Sequence, residues 1–325
     1  MNEALRKRCR LMIDNKLAVE NEYTWQGAVT NVMISNIFTS RGISVKPERI
    51  REAEAIIKSN TARFSMFRGF IHSYLGAVLA QTENPEEMIT EIKSVYTDMT
   101  KQKLPRSQYL VAAATLICTI DTKSDKTEII AKVREIFKLM KDKHPILTSD
   151  EDVTFATLLA MSGLEAYKLE DEMEECYRKL KSVTCVNNAV QSLSHVLALG
   201  AADAEEKCNR VKDIVTMLNN RGMDYGKGCE LAAIGGLAIL NEKVDVLVEE
   251  MLEADACLRD ARGFGSFGIG EKQRFMYDAM LVLNEHIPDI GNFDNAAKTG
   301  MLSAVIAEQT AIMCSIVVAS TAATS

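Results

Sequence analysis

Residues 186–199 form an amphipathic stretch that contains no Asp, Glu, Lys or Arg. At the helical spacing of about 3.6 residues per turn, one side of it carries Asn187, Gln191, Ser194 and His195. Such amide, hydroxyl and imidazole groups can hydrogen-bond a ligand or a peptide backbone on a concave surface. They could instead form a buried network between neighbouring helices, which is the interpretation that the pattern favours. These four residues are the candidate binding residues.

The glycine-rich stretch 263–270, which Lys272 and Arg274 follow, superficially resembles a phosphate-binding loop. A P-loop requires Lys-Ser or Lys-Thr directly after its final glycine, whereas this chain has Glu271 there. A dinucleotide fingerprint requires a preceding strand, but residues 243–259 have a helical pattern. The stretch is therefore predicted to be a connection between two helices.

No other group of residues has the spacing of a catalytic or metal site. The histidines are far apart and lie outside any HExxH pattern: His72, His144, His195 and His286. Ser194 and His195 are adjacent on a helix and point in different directions, which is poor geometry for a nucleophile and its base. We therefore predict no catalytic residue, no metal ligand and no cofactor, and the sequence favours a noncatalytic role.

Charge and cysteine usage limit the partners and the compartment. The net charge of −7 argues against nucleic-acid binding, which relies on Lys and Arg neutralising phosphates. The eight cysteines are scattered without a CxxC pair, so neither a disulfide framework nor a structural metal is expected. Residues 1–20 lack the uninterrupted apolar core of a secretory signal, which predicts a cytoplasmic protein.

Uncharged and charged segments alternate along most of the chain. The uncharged runs fall at 23–40, 69–82, 107–120, 153–164, 182–202 and 231–241. The charged, amphipathic segments that follow them fall at 46–59, 85–101, 126–142, 168–181, 203–219 and 242–259. Each pair is roughly 40 residues long, the length of a helix-turn-helix unit in HEAT or tetratricopeptide arrays.

This alternation predicts an all-α fold of repeated antiparallel helix pairs in two layers, with uncharged helices inside and charged helices outside. An open α/α solenoid and a closed α/α toroid both fit the pattern. The array is expected to occupy residues 1–290 as a single domain. Residues 291–325 are predicted to be an Ala-rich C-terminal helix with a frayed tail that caps the last repeat or binds a partner. Glu308 and Gln309 interrupt its apolar run and argue against a membrane span.

Several segments resemble an uncharacterised all-helical family of low-GC Gram-positive bacteria, known as a domain of unknown function. The similar segments are Ile57-Lys58, Phe64 through Arg68, 107–110, 148–152, 156–160 and, most specifically, 188–199. The resemblance runs from about residue 20 to the C-terminus and implies a cytoplasmic bacterial protein. It implies no activity, cofactor or functional residue.

Two functions remain open on these observations. The leading hypothesis is a noncatalytic repeat protein that presents a surface to a protein or peptide partner. The alternative is an enzyme or small-molecule-binding protein on a closed toroid, with Gln191 and His195 lining a central polar pocket. The low aromatic content, 6% with one Trp, argues against a sugar-binding cavity. No nucleic-acid partner is expected, and membrane contact is expected only if the C-terminal helix provides it.

Overall fold

The computed structural model describes residues 2–23, 27–120, 125–184, 186–225, 228, 230–286 and Met313. Within these ranges the chain forms fourteen helices and no strand, which confirms the predicted all-α fold. The helices are α1 (Glu3–Glu22), α2 (Ala28–Thr39), α3 (Pro47–Asn60), α4 (Ile71–Leu79), α5 (Pro85–Lys101), α6 (Gln108–Thr119), α7 (Lys126–Lys143), α8 (Asp152–Met161), α9 (Ala166–Leu180), α10 (Asn187–Leu197), α11 (Ala204–Asn220), α12 (Leu231–Ala238), α13 (Val244–Leu258) and α14 (Glu271–His286).

The alternation of charge in the sequence corresponds to an alternation of burial among these helices. All ten residues of α8 and all eight of α12 are buried. The charged helix α7 buries only the apolar stripe that contains Ile129, Val133 and Ile136. A stripe at this spacing covers one side of a helix and leaves the opposite side to water.

The chain forms two compact units, which we describe separately. The first unit lies within Asn15–Ala166. In it, α2, α4, α6 and α8 contact one another in succession, and α3, α5 and α7 do the same. Each of α3, α5 and α7 also packs against the helix that follows it. We call the first set inner helices and the second set outer helices.

The second unit lies within Met1–Asp14 and Tyr167–Cys314. Its inner helices α10, α12 and α14 contact one another in succession, and α11 and α13 are outer helices in contact with each other. An ion pair of 2.6 Å between Lys207 and Glu172 joins α11 to α9. The same alternation of layers therefore occurs in each unit. The predicted boundary at residue 290 and the predicted C-terminal helix lie outside the described residues, apart from Met313.

Side-chain caps fix the starts of several outer helices. Asp203 accepts a hydrogen bond of 2.8 Å from the backbone N–H of Glu206, as its position before α11 predicts. Asn84 accepts one from the N–H of Glu87 before α5. At the inner helix α8, the carboxylate of the first residue, Asp152, accepts a hydrogen bond from the Ser149 N–H at 2.8 Å.

A small residue brings two inner helices of the second unit close together. A Cβ atom at Gly235 would lie 2.9 Å from a Leu193 methyl carbon and 3.1 Å from Val196. Because glycine has no side chain there, α12 can approach the surface of α10 more closely than any other residue would allow. This approach buries the side of α10 that carries Leu193 and Val196.

Candidate functional site

The structure places the four candidate residues of α10 in two different environments. Gln191, Ser194 and His195 are buried, with exposed fractions of 3%, 1% and 4%, whereas Asn187 is exposed at the helix start. The Ser194 hydroxyl donates a hydrogen bond of 2.7 Å to the backbone oxygen of Gln191, inside its own helix. The structure thus brings three of the residues together within the packed interior, and their predicted role in binding stays a prediction.

The glycine-rich stretch 263–270 connects α13 to α14, as the sequence predicts. Arg274, which follows it, donates from Nε to Asp255 Oδ1 at 2.6 Å and from Nη1 to the Phe264 carbonyl at 3.3 Å. Its guanidinium therefore fastens the connection to α13. Its described hydrogen bonds go to Asp255 and to the Phe264 carbonyl, which indicates a structural role for this arginine.

A buried carboxyl group lies close to this ion pair. Asp278 on α14 has no exposed surface, and among the described residues neither of its carboxylate oxygens has a hydrogen-bond partner. Burial raises the pKa of Asp278 well above its ordinary value, the nearby Asp255 raises it further, and Arg274 opposes the rise. Burial also raises the pKa of the Cys9 thiol, with further contributions from Cys257 and Asp278. Both groups are enclosed, and the raised pKa of Cys9 disfavours the thiolate, which makes this thiol a poor nucleophile.

The histidines and acidic residues do not converge on a metal. Within the described ranges, no three His, Cys, Asp or Glu side chains lie in an arrangement that could hold a metal ion. His286 pairs instead with Glu250, with 2.6 Å between Nε2 and Oε2.

The connection between α3 and α4, residues 61–70, exposes large apolar side chains. Phe64 is 93% exposed and Met66 is 41% exposed, and the Arg63 guanidinium lies 5.8 Å from the centre of the Phe64 ring. The connection from α7 to α8 also exposes an apolar side chain, since Ile146 is 94% exposed. Because the Phe64 ring lies in water, packing within the folded chain does not explain why a phenylalanine occupies this position.

The 61–70 connection is nevertheless held firmly in place. The Phe67 ring packs edge-on against Tyr96 with 5.3 Å between ring centres, and the Phe70 ring lies 5.2 Å from that of Tyr109. Arg68 donates to the Thr61 hydroxyl at 3.0 Å and to the Lys58 carbonyl at 2.8 Å. These contacts fix the backbone on both sides of Phe64, so its ring projects from a rigidly held segment.

The end of this connection also touches the next pair of helices. The backbone N–H of Ile71, the first residue of α4, donates to Oε1 of Gln108, the first residue of α6, at 3.1 Å. Gly69 has a φ of +86°, and a Cβ atom there would lie 2.6 Å from Gln108 Nε2. The starts of α4 and α6 therefore lie side by side, and the 61–70 connection adjoins residues 102–107 between α5 and α6.

The comparisons with known proteins give a family and a relative. A family model described as "Protein of unknown function (DUF4003)" matches residues 16–311. The chain belongs to this family. The chain is also 24% identical, over 85% of its own length and 83% of the relative's, to "Uncharacterized protein YeaA" of Bacillus subtilis (strain 168). No solved structure matches the chain. The resemblance to an uncharacterised Gram-positive family is thereby confirmed.

The 61–70 connection of this DUF4003 protein was not predicted as a site from the sequence. Its residues Phe64 through Arg68 contributed only to the family resemblance. The composition of the connection could have indicated a site, because arginine, phenylalanine and methionine occur together within ten residues between two helices of an acidic protein. These residue types are the ones enriched in the cores of protein interfaces.

Proposed function

We propose that this DUF4003 protein is a noncatalytic helical-repeat protein of the cytoplasm that binds a protein or peptide partner. The observation that carries the proposal is the braced 61–70 connection with Phe64 projecting into solvent. A rigid backbone support lowers the cost of ordering the connection on binding, and an aromatic side chain, with only two rotatable bonds, loses little conformational entropy.

The packing of α10 supports this role over the alternative of a central polar pocket. The alternative needs Gln191 and His195 to line a cavity, and both are instead buried in an inner helix that packs closely on α12. Buried polar groups of this kind commonly hold neighbouring helices in a unique arrangement.

The free cysteines support the proposed compartment, and the alternating layers support the proposed mode of action. The described cysteines Cys9, Cys118, Cys176, Cys208 and Cys257 are free thiols, in keeping with a reducing compartment. Among the described residues, no helix has both the length and the apolar character needed to cross a bilayer. The alternating layers in each unit support a repeat architecture, which uses its surface for recognition in many proteins.

Site-specific photo-crosslinking in the native host tests the proposal. Phe64 is replaced by the photoreactive amino acid p-benzoyl-L-phenylalanine, and the same replacement at Leu164 serves as the control. Leu164 is also an exposed apolar residue of the first unit, but it lies on the connection from α8 to α9. We expect a discrete heavier adduct from position 64 that position 164 does not give. Equal adduct patterns at both positions, or none at either, would overturn the proposal.

A further inference from the structure

The surface around Phe64 carries an unusual concentration of positive charge. Residues 58–70 and 101–107, which we call the basic edge, contain no Asp or Glu. They contain six cations, namely Lys58, Arg63, Arg68, Lys101, Lys103 and Arg106, of which Lys101 pairs with Asp98 of α5 at 2.7 Å. Five of the six are exposed and Arg68 is half-buried. The whole chain has a net charge of −7, so this edge has the opposite sign to the rest of the protein.

The two segments of the basic edge form one continuous surface. Ile71 and Gln108 join the starts of α4 and α6 through the hydrogen bond of 3.1 Å. Tyr96 packs on Phe67 of the first segment and is also close to Arg106 of the second. Burial raises the pKa of Tyr96, and the Arg106 guanidinium opposes that rise. Phe64 therefore projects beside a contiguous set of cations.

A histidine next to the basic edge is affected by the same positive charges. The pKa of His72, at the start of α4, is lowered to about 4 by burial and by the nearby charges of Lys58 and Arg68. Protonating the imidazole would add a further cation to an already positive region, which is unfavourable. The cations are thus close enough together to act on a common neighbour.

Helix stabilisation does not explain most of this charge. Lys58 and Lys101 lie in the last turns of α3 and α5, where cations interact favourably with the helix dipole. Arg63, Lys103 and Arg106 lie outside the helices altogether. The connection from α4 to α5, by contrast, contains Glu83, and the first turn of α5 contains Glu86 and Glu87.

The composition of the edge fits a protein partner better than a lipid surface. Arginine, phenylalanine and methionine are enriched where protein interfaces are fully buried, and a single braced aromatic ring acts as an anchor for a pocket or an apolar side chain. Opposite charge on the partner would steer the encounter and fix the orientation around that anchor.

On these grounds, and resting on the proposed function above, we infer that the partner of the basic edge is an acidic protein segment. Its carboxylates contact Arg63, Lys103 and Arg106, and an apolar side chain within the same segment packs against Phe64 and Met66. The apolar contact supplies much of the affinity, while the charges supply selectivity and the rate of association.

Selection from a peptide display library on the full chain tests this inference. The probe is a library of random 12-residue peptides, selected in parallel on the wild-type chain and on an Arg63→Glu/Arg106→Glu variant. Lys46→Glu is the matched control, because Lys46 is an exposed cation on the connection from α2 to α3, outside the basic edge. The best peptide from each selection is then synthesised, and its affinity is measured by fluorescence anisotropy.

We expect the wild-type chain to enrich peptides that are net acidic and contain Leu, Phe or another large apolar residue. The affinity of the best peptide should fall about tenfold or more in the charge-reversed variant and in Phe64→Ala. It should stay within about twofold in Lys46→Glu and weaken as NaCl rises from about 50 to about 300 mM. Circular dichroism and urea unfolding establish that each variant is folded.

Two results would overturn the inference. One is enrichment without an acidic bias, or the same enrichment on the charge-reversed variant. The other is Phe64-dependent cosedimentation with phosphatidylglycerol vesicles while the peptides fail to bind, which would assign the edge to lipid. The photo-crosslinking result separates these failures from a failure of the proposed function. A protein adduct at position 64 together with non-acidic peptides would leave a protein-binding role and remove only the acidic partner.

Discussion

The Nε atom of Arg274 lies 2.6 Å from Oδ1 of Asp255, and the two side chains are 9% and 4% exposed. Arg259, which is half exposed, pairs with the other carboxylate oxygen of Asp255. Arg274 also contacts the Phe264 carbonyl and the Phe275 ring. One guanidinium therefore joins α13, the glycine-rich connection and α14.

Arg274→Met should destabilise the second unit strongly. The substitution leaves Asp255 buried with only the partly exposed Arg259 as its partner, and it leaves the Phe264 carbonyl without its donor. Breaking a buried ion pair by removing one member typically lowers the free energy of unfolding by about 3–5 kcal/mol. Urea unfolding followed by circular dichroism measures the change.

The control is Arg221→Met, because Arg221 pairs with Glu249 at 2.6 Å but both side chains are about half exposed. Exposed ion pairs contribute about 0–1 kcal/mol, so this substitution should change stability little. Equal effects of the two substitutions would show that burial of the Arg274 pair has no energetic consequence.

Asp152 should make the first unit less stable as the pH rises from about 4 to about 7. Burial raises the pKa of Asp152 to about 7 in the folded protein, although the hydrogen bond from the Ser149 N–H opposes this. An unfolded aspartate has a pKa of about 3.9. Between these values the folded state holds a proton that the unfolded state has lost. Stability therefore decreases with increasing pH in this window, by at most about 1.4 kcal/mol per pH unit.

Asp152→Asn removes this titration and keeps an oxygen that can accept from the Ser149 N–H. Urea unfolding at several pH values should show that the variant gains stability relative to wild type as the pH rises from 4 to 7. The exposed neighbour Asp150 provides the control, and Asp150→Asn should give a difference from wild type that changes little with pH. A constant difference for Asp152→Asn as well would contradict the prediction.

The placement of the helices could be predicted because charge and burial follow the same periodic pattern. The uncharged run 107–120 contains α6, and the charged run 85–101 coincides with α5. The burial of helix α1 was harder to predict, because it buries the polar residues Asn15 and Lys16. Only tertiary contacts make the burial of such residues favourable. Asn15 donates to the Thr39 hydroxyl at 3.0 Å and accepts from the Val45 N–H at 2.8 Å.

The environment of single side chains was harder to predict than the helices. A helical wheel places Gln191 and His195 together on one side of α10, but it does not show that α12 comes close through Gly235. The exposure of Phe64 and the burial of Phe67 likewise depend on how a ten-residue connection folds back on Tyr96 and Gln108. Periodicity applies to regular elements and carries no information about such connections.

Gly69→Ala should destabilise the protein more than Gly163→Ala. Both glycines have positive φ, +86° and +78°, and an alanine at either position incurs a backbone penalty of about 1–2 kcal/mol. At Gly69 the new Cβ atom would also lie 2.6 Å from Gln108 Nε2, whereas at Gly163 no atom lies within 4 Å. Moving Gln108 would strain the hydrogen bond that its Oε1 accepts from the Ile71 N–H. Urea unfolding should give an additional cost of about 1–2 kcal/mol for Gly69→Ala, and equal costs would mean that Gln108 moves aside freely.

Phe64→Ala and Phe67→Ala should differ sharply in their effect on stability, although the two residues are three positions apart. Phe67 is 5% exposed and packs on Tyr96, so truncating it should lower the free energy of unfolding by about 3–5 kcal/mol. Phe64 is 93% exposed, and its truncation should change stability by no more than about 0.5 kcal/mol. Thermal and urea unfolding of both variants measure this difference. If Phe64→Ala instead destabilised the chain as much as Phe67→Ala, the ring would have a packing role in the folded protein, and its exposure would no longer support an interaction surface.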